Sequence, residues 1–431
     1  MPRPNDNREF RFNEYLGRMA KSIGHLDRYE PLHAYLTGLC LPGERKSVEP
    51  MAARIDPFHV QARHESMHHF VANAPWDDVD LLRIARSQVL DQMDRHGGIE
   101  AWIVDDTGIP KKGSKSVGVA KQYCGILGKK ENCQVAVSLS VANEAVSIPV
   151  AYRLYIPETW ATNIQRRQAA GIPDNIVFRK KWQLSLEQIA WLHNEGIPLA
   201  PILADAGYGN ITEYRDQLTE WKLPYVVGIH ENTCVWPPGK QPSKPKRIHH
   251  MGRPPTLLRR SDDNRPLSVE AHAKNLPVSA WHDQTWREGT KGAMHSRFAF
   301  LRVRPGHDDC HRKEARPKEW LIIEWPPEEP NPMKYWFSTL PPDSSHEELV
   351  RLIKNRWRIE RDYEELKSEF GLDHYEGRNW RGFHHHATLC ISAYAFMAAE
   401  RARFSPSATF SFLKSPPIPD SFRPRGSPAP S

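Results

Sequence analysis

The sequence predicts an α/β protein, a mixed sheet flanked by helices, with a helical segment ahead of the sheet and a β-rich insertion within it. Three observations carry that expectation. Helical periodicity fills the chain up to about residue 97, runs rich in Val, Ile and Tyr follow one another after Gly98, and from Ser185 to Ile229 helices and strands alternate. The 431 residues are 39% hydrophobic, which is enough apolar material for two or three domains.

In chain order, Asp77 and Asp78 precede Leu81, Leu82, Ile84, Ala85, Val89, Leu90 and Met93, an apolar set at helical spacing that Gly97 and Gly98 stop. Shorter helical pieces come before it, around Pro31 to Cys40 and Phe58 to Val71, so residues 1–97 are expected to form a helical domain. Strands are expected at Ala101 to Val104, Gln134 to Ala142 and Ser147 to Ile156, as an antiparallel meander. A helix at Ser185 to Asn194, a strand at Pro201 to Ala204, a helix at Ile211 to Trp221 and a strand at Pro224 to Ile229 make a βαβ unit beside it. The order β, β, β, α, β, α, β over residues 98–229 is that of an RNase H-like core.

Residues 230–340 interrupt that core. The segment opens as a Pro-rich basic loop (Lys240, Lys244, Lys246, Arg247, Arg253, Arg259, Arg260) and ends in strands at Phe298 to Val303, Trp320 to Trp325 and Tyr335 to Leu340. Within residues 341–403, Ser345 and Glu348 form a capping box that opens one long helix through Lys367, and Ala387 to Arg401 reads as a buried helix. Residues 404–431 alternate Pro and Ser and are expected to be disordered.

The balance of 59 basic against 52 acidic residues, +7 overall, favours a polyanionic partner. No run approaches the ~18 apolar residues of a membrane span, and the opening MPRPNDNREF lacks a signal-peptide core. The six Cys contain no CxxC, so they suggest neither a disulfide framework nor a zinc ribbon, and a reduced cytoplasm is the expected location. His384-His385-His386 and His307-Asp308-Asp309-Cys310-His311 are discounted as metal sites. Adjacent helical residues point in different directions, and the second run lacks a partner cluster at zinc-finger spacing.

Three acidic residues occupy special positions: Asp105 (or its neighbour Asp106) after the first strand, Asp205 after the fourth, and Glu360 in the long helix. Carboxylates gathered at the edge of a sheet repel one another and need a cation. Hard oxygen ligands suit Mg²⁺ or Mn²⁺, and two such ions can activate the attacking oxygen and stabilise the leaving oxygen of a phosphodiester. A single Asp after a strand is more often a turn or capping residue; the set gives the signal its weight. Lysines 111, 112, 115, 121, 129 and 130 surround the following turn and could hold a phosphate backbone, although such loops are equally often merely solvated. At about 100° per residue, Ile353, Arg356, Glu360 and Lys367 share an arc of about 60° beside an apolar stripe of Leu352, Ile359, Tyr363 and Leu366.

The run Arg356-Trp357-Arg358-Ile359-Glu360 with Lys367, preceded by Tyr335-Trp336-Phe337-Ser338-Thr339 and followed by Gly371-Leu372-Asp373-His374-Tyr375-Glu376-Gly377-Arg378, resembles the insertion-sequence transposases of the DDE superfamily. The branch is that with a Tyr-x2-Arg-x3-Glu-x6-Lys signature. Asp105-Asp106-Thr107 and Leu203-Ala204-Asp205-Ala206-Gly207-Tyr208-Gly209 extend the likeness over roughly Arg45 to Arg401. The Tyr of the signature is Ile353 here.

This resemblance implies an RNase H-like catalytic core holding two Mg²⁺ (or Mn²⁺) ions through Asp105, Asp205 and Glu360, with Asp105 preferred because the family's first acid often stands two before a Thr or Ser. It implies a β-rich insertion, cut-and-paste cleavage and strand transfer at terminal inverted repeats, a homodimeric synaptic complex, and a bacterial, nucleoid-associated location. DNA contacts are expected from Arg356, Lys367, Lys111 and Lys112. Trp325 and Trp336 are candidates for stabilising a flipped base, with Trp336 taken as the DNA-binding one. The rivals are a metal-dependent nuclease of the same fold that does not join strands, and an inactive DNA-binding derivative.

Overall fold

The amphipathic N-terminal segment closes as five helices: α1 (Arg8–Ser22), α2 (Tyr29–Cys40), α3 (Val48–Ile55), α4 (Val60–Ala72) and α5 (Asp78–Arg95). Asn7 and Asp77 cap α1 and α5, accepting from the Glu9 and Val79 amides at 2.8 Å each. These elements come from a computed structural model, which describes residues 7–244, 256–289, 292–307 and 309–404. The chain divides into two compact units, Met1–Pro198 with Trp357–Ser431, and Leu199–Arg356.

The first unit continues with β1 (Ala101–Pro110), β2 (Ala120–Cys124), β3 (Lys129–Ala142) and β4 (Ser147–Leu154), then α6 (Glu158–Ala161), α7 (Ile164–Ala170) and α8 (Lys181–Asn194). β3 is the spine of an antiparallel sheet. It pairs with β1 from Ala101↔Ala142 to Pro110↔Cys133, and on its other edge with β2 (Ala120↔Cys133) and β4 (Ala136↔Leu154). The first strand is longer than its apolar run suggests, so Asp105 lies in mid-strand rather than at a strand end. β2 was not foreseen, because the lysine-rich stretch around it reads as a loop.

The second unit contains β5 (Ile202–Ala204), α9 (Ala206–Gly209), α10 (Thr212–Glu220), β6 (Tyr225–Ile229), β7 (Cys234–Trp236), β8 (Leu267–Ser268), α11 (Val269–Lys274), β9 (Trp281–Gly289), β10 (Gly292–Pro305), β11 (Glu319–Glu324), β12 (Lys334–Ser338) and α12 (His346–Asn355). β5 and β6 are parallel, as the βαβ reading requires. β6 then pairs antiparallel with β12, β12 with β11, and β11 with β10, which also takes β9 and β7. The class is therefore mixed α/β, with helices against a mixed sheet. Lys246, Arg247 and Arg253 of the expected basic loop, and the Pro/Ser tail from residue 405, lie outside the described residues.

The chain returns to the first unit with α13 (Trp357–Ser368) and α14 (Trp380–Phe404). The single long helix expected from Ser345 to Lys367 is instead two. Ser345 caps α12, accepting from the Glu348 amide at 3.1 Å, but α12 ends at Asn355, and Arg356 beyond it keeps a right-handed helical backbone (φ −59°, ψ −27°). Apolar periodicity runs through this break, so the sequence pattern does not register it.

α14 is buried along 20 of its 25 residues and packs against α2, α4, α5 and β4. Several of its buried polar side chains find partners. Glu400 takes the Arg11 Nε at 2.7 Å, His384 Nε2 accepts from the Leu154 amide at 3.3 Å, and His386 Nδ1 meets the Tyr35 hydroxyl at 2.9 Å. His385 sits between the carbonyls of Val71 (3.1 Å) and Trp76 (3.0 Å) and stacks on the Trp76 ring at a centroid distance of 3.5 Å. Burial pushes all three imidazoles down to about 4. Their hydrogen bonds give the three imidazoles a structural role in packing α14.

An imidazole kept neutral in the fold but free to charge once unfolded draws protons to the unfolded chain. Its contribution is intact above about pH 6.5 and is lost as pH falls towards about 4. His385→Gln should therefore lose less stability than the native chain between those values, whatever its offset at pH 7. Thermal unfolding followed by circular dichroism across the window measures this, and parallel curves would contradict it.

Candidate functional site

Strand alternation separates the two acidic residues of β1. Asp106 Oδ2 receives the Lys181 ammonium at 2.8 Å, from the first turn of α8. Asp105 must therefore point to the opposite face. Its Oδ1 accepts the Asp106 amide at 2.9 Å, and opposite it in the ladder stands Ser138. On that face lies Tyr363 of α13, whose phenol burial and the neighbouring carboxylates of Asp105 and Asp362 hold well above the ordinary tyrosine value. Glu360, three residues earlier on α13 and hence on an adjoining face, is exposed. Asp105 and the Glu360 helix thus share one side of the first unit's sheet, and α13 packs against both β1 and β4.

What holds α13 there is a carboxyl group that periodicity alone did not single out. Asp362 is buried, and its Oδ1 accepts from the Ser147 hydroxyl of β4 at 2.6 Å and the Tyr394 hydroxyl of α14 at 2.7 Å. Burial pushes its pKa up to about 7 in spite of these two donors. Arg358, also buried, donates to the Glu144 carbonyl at 3.2 Å. Ile359, Tyr363 and Leu366 form the buried stripe that the pattern predicts.

In the second unit Asp205 follows β5 and caps α9, its Oδ1 accepting from the Gly207 amide at 2.9 Å and the Tyr208 amide at 3.3 Å. This is the ordinary role of an Asp after a strand, and it engages one of the two carboxylate oxygens. The cap lies directly over β6. A methyl group on Gly209 would stand 2.0 Å from the Gly228 carbonyl oxygen, and one on Gly228 2.9 Å from the Ala206 nitrogen. The two glycines therefore set where Asp205 lies, and only the first belongs to the recognisable motif.

The expected DNA contacts sit differently from one another. Lys367 donates to the Gly108 carbonyl at 3.0 Å and Lys111 to the Tyr375 carbonyl at 2.7 Å; burial lowers the pKa of both. An ammonium carries three donors, so each keeps two after this anchoring. Lys112 is exposed and Arg356 half-buried. Trp336 is half-buried on the face of β12 opposite Tyr335 and Phe337, across from Gly228 in the ladder. Trp325 packs edge-on against Trp281 at 5.4 Å and donates to the Glu329 carbonyl at 2.8 Å, a packing role. Asp309 is buried and receives the Trp236 indole at 2.7 Å, a structural role for that residue.

Among the described residues no three His, Cys, Asp or Glu side chains stand grouped as a metal cage. The chemistry of Asp105, Asp205 and Glu360 nevertheless fits a hard divalent cation, since each offers carboxylate oxygen, and Asp105 and Glu360 share one side of their sheet.

Residues 18–293, well over half of the chain, match the family described as DDE superfamily endonuclease. The chain belongs to that family. The match includes Asp105 and Asp205 and ends before Glu360. The chain is also similar, at 31% identity over 202 residues, to a probable transposase for insertion sequence element IS701 of Microchaete diplosiphon. That likeness covers 47% of this chain and 49% of the relative, so the chain spans about half the length of the curated relative it matches.

Gly209→Ala should force α9 away from β6 and destabilise the protein by about 1–3 kcal/mol, measured by urea unfolding. Asp362 contributes with the opposite sign to the histidines. With its folded value raised to about 7, its favourable term is present at low pH and is lost as pH rises from about 4 through 7. Asp362→Asn, which keeps the shape and removes the ionisation, should gain stability relative to the native chain as pH rises over that window. A constant difference between the two would contradict this.

Proposed function

We propose that the protein is an insertion-sequence DNA transposase, which binds the terminal inverted repeats of its element and carries out metal-dependent cleavage and strand transfer. The observation that carries this reading is the separation of Asp105 from Asp106. Lys181 neutralises one carboxylate of β1 while the other faces the helix that bears Glu360, so two of the three candidate acids belong to one side of the sheet. The family match and the likeness to a probable transposase support it.

In this reading Asp105, Asp205 and Glu360 hold two Mg²⁺ or Mn²⁺ ions. Bound there, the ions would lower the pKa of an attacking water and neutralise charge on the leaving oxygen. The chain's own residues do the positioning. Asp362 clamps α13 so that Glu360 keeps its place, and Gly209 and Gly228 let the Asp205 turn lie close over β6. Arg356, Lys367, Lys111 and Lys112 orient the phosphates, and Trp336 offers a ring for an unstacked base. Two copies would be needed to bring two element ends together. No helix among the described residues is long and apolar enough to cross a membrane.

The test uses the DNA flanking the coding region as substrate, with and without Mg²⁺. The native protein should cut it and join pre-cut ends to a target duplex. Asp205→Ala and Glu360→Ala should each lose cleavage by about a thousandfold while still retarding the same DNA on a gel. Cleavage without joining would make the protein a nuclease, and cleavage retained by Glu360→Ala would overturn the assignment of that residue.

A further inference from the structure

Beyond the carboxylates, the first unit contains a cavity of about 730 Å³. Three stretches of chain supply its lining: Glu44 and Arg45 between α2 and α3, the end of β1 and the loop after it (110–113, 115 and 116), and residues 373–376 and 378 between α13 and α14. Five side chains on its wall are basic (Arg45, Lys111, Lys112, Lys115, Arg378), against three carboxylates (Glu44, Asp373, Glu376). Several of these charges are already engaged. Arg45 is ion-paired to Glu376, both largely exposed; Asp373 lies 3.7 Å from the His374 ring; and Lys111 is anchored on the Tyr375 carbonyl. Lys112, Lys115 and Arg378 form no ion pair among the described residues, and all three are exposed.

A lysine-rich loop is ordinarily just solvated, but this one is held. Asn132 of β3 donates through one amide to the carbonyls of Lys111 (2.6 Å) and Gly113 (2.9 Å), and Arg166 donates to the Ser114 carbonyl at 3.2 Å. Gln134, buried, donates to the Val117 carbonyl at 2.7 Å, and the Val117 amide donates to the Arg378 carbonyl at 3.0 Å, which ties the loop to the third lining stretch. Cations presented from a fixed backbone lose less freedom on binding an anion than those of a mobile loop. The wall offers little aromatic surface, since Tyr375 is buried and stacked on His386, so the ligand it suits is a phosphate rather than a base. Six residues of extended strand separate Asp105 from Lys111, roughly 20 Å, which is a little over half a turn of duplex.

We propose that this cavity seats the DNA phosphodiester backbone about half a duplex turn from Asp105, with Lys112, Lys115 and Arg378 contacting phosphates and Glu376 opposing them. The inference rests on the DNA reading above, and its test separates the two. Binding of the full chain to a labelled duplex of about 30 base pairs and arbitrary sequence is measured by anisotropy in EDTA between about 50 and 200 mM salt. The triple variant Lys112→Ala, Lys115→Ala, Arg378→Ala should lower the slope of log affinity against log salt by about 2 to 3. A charge-matched variant, Lys21→Ala, Lys313→Ala, Lys318→Ala, should leave the slope near the native value. Glu376→Gln should act the other way, tightening binding several-fold by freeing Arg45. If the native protein binds no DNA, both this proposal and the reading beneath it fall. If it binds and the triple variant keeps the native slope, or loses no more than the charge-matched control, the cavity proposal alone falls.

Discussion

A polar group taken out of water must be given a partner, and on α14 that requirement organises the first unit. The helix is buried along nearly its whole length, yet it carries three histidines, a tyrosine and a glutamate on its hidden faces. Each is answered by a different neighbour: Glu400 by Arg11 of α1, His386 by Tyr35 of α2, His385 by the end of α4, His384 by β4, Tyr394 by Asp362 of α13. Apolar burial alone would allow those neighbours to slide. Directional bonds from one rod to five elements give them a single arrangement, and the N-terminal helices share their core with the strand and helix nearest the candidate site.

That arrangement reaches the chemistry through α13. Its Asp362 bonds at once to β4 and α14, and β4 is the neighbour of β3, on whose other edge β1 carries Asp105. The positions of Asp105 and Glu360 are therefore linked through a short path of hydrogen bonds and strand register. Asp205 is placed by another means, the absence of two side chains. Gly209 and Gly228 let backbone approach backbone where any Cβ would collide. One acid is positioned by bonds made and the other by volume left empty.

Much of this was legible in the sequence, for reasons that can be named. The apolar runs at Val135 to Ala142 and Pro201 to Ala204 are short and bounded by turn residues, so they declare themselves as strands. The stripe Ile359, Tyr363, Leu366 has helical spacing and is buried as expected. β2 escaped notice because its residues, Ala120-Lys121-Gln122-Tyr123-Cys124, owe their pairing to β3 rather than to their own propensity. The break at Arg356 was hidden because a helix can be interrupted without any change in apolar period. Asp362 was passed over as one of several charges on an exposed-looking helix; its burial depends on Ser147 and Tyr394, which are far away in the chain. Gly228 and the pinned loop at 111–116 depend likewise on what folds against them.

Two acidic residues two positions apart on α13 show how environment divides labour between like groups. Glu360 and Asp362 carry the same chemistry, but rotation by two residues, about 200°, sends one to solvent and the other into the core. The buried one accepts two hydroxyl donors and has its pKa raised to about 7, so below neutrality it is held mainly as the neutral acid. The exposed one keeps access to water. The position of Asp362 cannot be filled by an exposed acid, which would make no bond to hold the helix against β4 and α14. The same division is repeated on β1, where Lys181 neutralises Asp106 and pleating turns Asp105 the other way. In each pair one carboxylate is spent on structure, Asp106 on Lys181 and Asp362 on Ser147 and Tyr394, while its neighbour is turned to a different side of the same element.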